Sequence, residues 1–168
     1  MRIDAHHHLW HPRRSDYGWP MSASPLCQPF GPSDLEPLLC WAEIDGTILV
    51  QSAPTEAETR FLLDIADRTA WVLGVVGWID LDAPDAPERV AALARHAKFV
   101  GIQPMLQNID DPRWILGASR RRAIDAVAEQ GVVFDALVRH AQLQPIIELA
   151  QRGACQGSCR SFYAASAD

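Results

Sequence analysis

At 168 residues the chain is long enough to bury one domain-sized core. Its 48% apolar and 21% charged content is that of an ordinary folded protein and excludes a disordered one. A formal net charge of -6 removes the electrostatic reason to expect nucleic acid or an anionic membrane as a partner. No apolar run reaches the roughly 18 residues of a membrane span. The start, Met1-Arg2-Ile3-Asp4, is acidic where a signal peptide needs its apolar core, so the expected compartment is the cytoplasm. Cys27, Cys40, Cys155 and Cys159 form no CxxC pair, and no disulfide framework is expected.

Short β-rich runs alternate with longer helical patterns, the signature of βα units on a parallel sheet. Arg2 to His6 reads as a first strand. Residues 9 to 32, rich in Pro, Gly and Ser with Trp10, Tyr17, Trp19 and Phe30 interspersed, read as a long loop with aromatic anchors. Ser33-x-x-Glu36 has capping-box spacing ahead of Leu35, Leu38, Leu39 and Ala42. Thr47 to Ala53 is a buried-type strand. Thr55 with Glu58 repeats the capping spacing before Phe61, Leu62, Ile65 and Ala66. Trp71 to Ile79 is a third strand, Pro87 to Ala97 a helix with proline in its first turn, and Phe99 to Leu106 a fourth strand. Pro112 to Gln130 carries one helix or two, closed by Gly131. Val132 to Val138 is a fifth strand and Leu143 to Arg152 a fifth helix. Five such units without a hairpin signal favour a barrel or an open doubly wound sheet. The latter, as a nucleotide binder, is disfavoured because no Gly-rich loop follows the first strand. From Gly153 to Asp168 neither a strand period nor a helical stripe is visible.

The chemistry-bearing feature is His6-His7-His8. Strand side chains alternate faces, so His6 and His8 share one and His7 takes the other. Two imidazoles on one face, about 7 Å apart along the backbone, can converge on one divalent cation. Histidines without a role are the bland alternative. Gln51, Gln103 and Asp135 fall near predicted strand ends, where buried polar groups serve either a ligand or the scaffold.

The flanking residues carry a resemblance. Asp4-Ala5-His6-His7-His8-Leu9-Trp10 resembles the D-A-H-x-H-[FL]-W opening of the amidohydrolase-related family, in its sugar-lactonase-like branch. Collinear matches follow: Tyr17-Gly18-Trp19, Asp45 to Gln51, Glu56 to Thr59, Gly74 to Leu81, Val100 to Gln107, and Val133 to Arg139. The resemblance spans residues 2 to 152. It implies a partial TIM-type (β/α)8 barrel and hydrolysis of the ester bond of a small sugar or carboxylate lactone. It also implies one divalent metal ion, with zinc the expected identity, at His6 and His8. Gln51, Gln103, Asp135 and Trp19 become candidate substrate contacts, Trp10 and Trp19 as pocket walls.

The sequence also departs from the family pattern. Gln103 stands where relatives tend to carry arginine, and Gln142 where a family histidine is expected; His140 beside it reads as solvent-facing. Past residue 152 the family's later Asp-His and Ser-Asp-Trp-Pro strands have no counterpart, so the catalytic acid or base is unassigned. The expectation is a barrel part over residues 1–152 and an unrelated tail over 153–168 produced by a frameshift, in a truncated chain inactive by itself. Its open sheet edges would favour self-association. A non-catalytic barrel fragment is the competing reading.

Overall fold

The computed structural model describes residues 1–14, 16–18, 24–152 and 162–166, in two compact units, Met1–Trp78 and Ile79–Asp168. In the first unit, strands β1 (Ile3–His7), β2 (Gly46–Val50) and β3 (Val72–Gly77) alternate with helices α1 (Pro32–Ala42) and α2 (Glu56–Arg68). The strands pair in that order and in parallel, so each connection must cross over, and the helices do so. β2 has neighbours on both sides and is apolar from Ile48 to Val50, with Leu49 and Val50 fully enclosed. β1 is paired on one side only among the described residues, and none of its five residues is fully buried.

Local chemistry explains where the helices begin. Thr55 caps α2 as its spacing predicts, its Oγ1 accepting from the Glu58 backbone N–H at 3.0 Å. The Glu58 side chain does not return to complete the box. α1 starts earlier than Ser33, because Pro32 already has a helical φ and needs no N–H at that position. The Asp34 carboxylate accepts from the Gly31 N–H at 2.8 Å. Of the apolar residues predicted to form its stripe, Leu39 is buried and Leu38 is 60% exposed.

The second unit contains α3 (Ala86–Leu93), β4 (Phe99–Ile102), α4 (Ala118–Glu129), β5 (Val133–Val138), α5 (Leu143–Gln151) and β6 (Phe162–Ser166). β4 ends before Gln103-Pro104, since proline has no N–H for a ladder, and Leu106–Asn108 forms a 3₁₀ turn instead of extending the strand. The region read as one helix or two is a 3₁₀ turn, Trp114–Leu116, followed by α4. Gly131 closes it with φ 68°, a left-handed conformation that favours glycine. β6 departs from the sequence expectation: it lies parallel to β5, from Phe134 opposite Phe162 to Val138 opposite Ser166. Backbone donors and acceptors along β5 can recruit a strand whose side-chain pattern gives no signal. No helix among the described residues is long and apolar enough to cross a membrane.

Candidate functional site

β1 carries His6 and His7, and His8 follows it directly, past an irregularity in the β1–β2 register between Asp4 and His7. His6 Nε2 and His8 Nε2 are 3.3 Å apart with the rings edge to face at 84°, while His7 turns to the other side and its Nε2 meets Thr47 Oγ1 at 2.8 Å. His8 Nδ1 lies 2.9 Å from the Val50 carbonyl oxygen. A carbonyl only accepts, so Nδ1 carries the proton. Burial lowers the pKa of His8, outweighing the carbonyl contact that raises it, and burial lowers His6 as well against the opposing charge of Asp4. A neutral His8 protonated on Nδ1 presents a bare lone pair at Nε2. His6, also neutral, is its hydrogen-bond donor across the 3.3 Å gap.

This pair fits a divalent cation. Two nitrogens bonded to one tetrahedral zinc at 2.0–2.1 Å are themselves roughly 3.3 Å apart, the separation seen here. A metal-binding histidine ordinarily donates its other N–H to a carbonyl or carboxylate, as His8 does. No third His, Cys, Asp or Glu joins the pair among the described residues. Burial holds the His7 pKa down at about 4, so it too is neutral.

Gln51 follows β2 directly, fully buried, its backbone N–H donating to the Val76 carbonyl at 2.9 Å. Beyond it is a polar cluster that the sequence pattern does not reveal. Glu58 is fully buried. Its Oε1 accepts from the Ser52 hydroxyl at 2.9 Å, and its Oε2 from the Tyr17 hydroxyl at 2.7 Å with an Arg14 nitrogen at 3.5 Å. Arg14 also pairs with Asp16 at 2.6 Å and lies over the Phe61 ring. Thr55 Oγ1 donates to the same Asp16 carboxylate at 2.7 Å. Burial raises the Glu58 pKa, opposed by Tyr17, Ser52 and Arg14. The Thr55-x-x-Glu58 spacing points to a cap; only the fold shows that the acid serves the loop before α1.

In the second unit, Gln103 and Asp135 come together. Gln103 Nε2 donates to Asp135 Oδ2 at 2.8 Å, both residues being buried. Asp135 lies inside β5, not at its end. Its Oδ1 is enclosed with no hydrogen-bond partner among the described residues, and burial raises its pKa against the single opposing hydrogen bond from Gln103. Gln142 is a scaffold residue: its amide donates to the carbonyls of Leu106 and Ile109 and its oxygen accepts from the Arg139 N–H. His140 is exposed, as expected. Trp10 packs on Phe30, ring centroids 4.6 Å apart. Trp19, Cys155 and Cys159 lie outside the described residues.

Comparison with known proteins shows the family. The Amidohydro_2 (amidohydrolase) family profile matches residues 3–153. An L-fucono-1,5-lactonase of Burkholderia ambifaria is 46% identical over 152 residues, covering 90% of this chain and 52% of its own. The corresponding lactonase of Burkholderia multivorans is 35% identical over 148 residues, 87% of this chain and 50% of its own. A solved amidohydrolase from Burkholderia multivorans, with zinc bound, matches at a TM-score of 0.82 and 34% identity, covering 90% of this chain and 54% of that one. The chain thus spans about half the length of the curated relatives it matches, and its successive βα units are those of a partial TIM-type barrel. It belongs to the amidohydrolase family.

Proposed function

We propose that the chain forms the strand-one wall of a lactone-hydrolysing site, in which His6 and His8 hold one divalent cation, zinc in the first instance. The observation that supports it is the 3.3 Å Nε2 pair with the His8 tautomer fixed by Val50. The zinc in the solved Burkholderia multivorans amidohydrolase and the lactonase activity named for two relatives point the same way. A bound divalent cation polarises a carbonyl and lowers the pKa of water toward neutrality.

The residues of this chain would then act as follows. His6 and His8 would each offer a neutral Nε2 to the cation, His6 once its proton has moved from Nε2 to Nδ1. Within the first unit, Gln51 contacts the substrate, a small sugar or carboxylate lactone. In the second unit Asp135, bonded by Gln103 at Oδ2, keeps Oδ1 for a ligand, and burial raises its pKa.

The test is a zinc titration by calorimetry alongside an assay on a panel of aldonolactones. His6→Ala and His8→Ala should each abolish measurable zinc binding. Unchanged binding in both variants would remove the histidines from the metal role. Zinc binding without hydrolysis of any lactone is the outcome expected of a non-catalytic barrel fragment.

A further inference from the structure

Glu58 has no part in the proposed chemistry, yet it is fully buried and bonded to Ser52, next in sequence to Gln51. A buried carboxylate is expensive and persists only where it is well supplied with donors. Here the donors come from separate stretches of chain: Tyr17 and Arg14 from the loop before α1, and Ser52 from the turn leaving β2. The Ser52 backbone N–H also points at Glu58 Oε1, at 3.4 Å. Two residues before Ser52 is Val50, whose carbonyl holds His8 Nδ1. The route from Glu58 to the bare nitrogen of His8 is therefore short: carboxylate, Ser52, the Val50–Ser52 backbone, the Val50 carbonyl, the imidazole.

We propose that Glu58 is a positioning residue, which fixes the Val50–Ser52 backbone so that the Val50 carbonyl keeps His8 in the Nδ1-protonated tautomer with Nε2 free. The role in cation binding rests on the reading above; the tautomer does not. Tyr17 and Arg14 secure the acid from the loop side, and Ser52 transmits its position. This gives the Tyr17 hydroxyl a function beyond packing and explains why the Glu58 side chain leaves the helix cap it could have completed.

The experiment is long-range ¹H–¹⁵N correlation on histidine-labelled full chain, read together with zinc titration. In the wild type, His8 Nε2 should resonate as an unprotonated nitrogen. In Glu58→Gln, its signal should shift toward a mixture of tautomers and zinc affinity should fall about tenfold or more, the usual effect of losing a partner that orients a ligand. Tyr17→Phe keeps the carboxylate and should move His8 the same way by a smaller amount, which covers the case in which Glu58→Gln does not fold. Thr59→Val is the structural control: Thr59 Oγ1 bonds the Trp78 backbone from the same helix at 2.8 and 3.0 Å, so this variant should lose stability and leave His8 unmoved. An unshifted His8 in folded Glu58→Gln and Tyr17→Phe overturns the proposal, as does an equal shift in Thr59→Val. Nδ1-protonated His8 in a wild type that binds no zinc would sink the metal reading and leave the positioning role intact.

Discussion

Glu58 and Asp135 are both carboxylates taken out of water, at 0% and 5% exposure, and their surroundings differ. Glu58 has a donor at each oxygen, from Ser52 and Tyr17, with the Arg14 guanidinium beyond. Asp135 has one donor, the Gln103 amide, and one oxygen with no partner among the described residues. Burial raises the pKa of both, but at Glu58 three groups oppose the rise and at Asp135 only one does. A satisfied buried acid is a structural tie, whereas a half-satisfied one retains capacity for a ligand. The comparison thus assigns scaffold work to the first unit's acid and leaves the second unit's acid with one oxygen open to a ligand.

Removing the satisfied acid should have the larger effect. Glu58→Ala strands Ser52, Tyr17 and Arg14 together and is expected to cost about 3 kcal/mol in urea unfolding; a loss below about 1 kcal/mol would end the contrast. Asp135 is better probed through pH. Its folded pKa is raised, so the folded state binds the extra proton, and its contribution to stability falls as pH rises from about 4 through the folded value. Asp135→Asn should flatten the stability profile across that window. Glu58 contributes a slope of the same sign, so the flattening should be partial. Denaturant melts at intervals from pH 4 to 8 measure it, and a profile parallel to that of the wild type would show that Asp135 stays ionised.

A smaller effect is expected at Thr55, which caps α2 and also donates to Asp16 in the Glu58 cluster. Thr55→Ala should cost about 1 kcal/mol if only the cap is lost. A larger loss, shared non-additively with Glu58→Ala, would show that cap and cluster act as one network. The smallest effect belongs to Leu38 on α1, 60% exposed. Leu38→Ala should change stability by no more than about 0.5 kcal/mol, and a large loss would mean that this face is covered in solution.

The histidine pair of the candidate site was legible in the first ten residues. The period of two predicts that His6 and His8 share a face, while the 3.3 Å approach of their rings is seen only in the fold, where His8 follows β1 and meets the Val50 carbonyl. Gln51 and Gln103 were legible as the residues immediately after apolar strands. Asp135 was legible as a polar residue in a buried run, though it sits within β5 and not at its end. Glu58 was visible with a different meaning, since its spacing to Thr55 encodes a helix cap and nothing local encodes Tyr17, forty-one residues away.

By itself, then, the sequence determined the alternation of strand and helix, the parallel sheet it entails, the Thr55 cap and the shared face of His6 and His8. These rest on periods of 2 and 3.6 and on backbone groups within a few residues of one another, so local chemistry decides them. Only the tertiary structure decided that Val50 selects the tautomer of His8, that Glu58 leaves its cap for Tyr17, that Asp135 receives a single donor, and that β6 joins β5. Each of these pairs groups distant in sequence, whose hydrogen bonds gain their strength and their selectivity only once the fold has excluded water from between them.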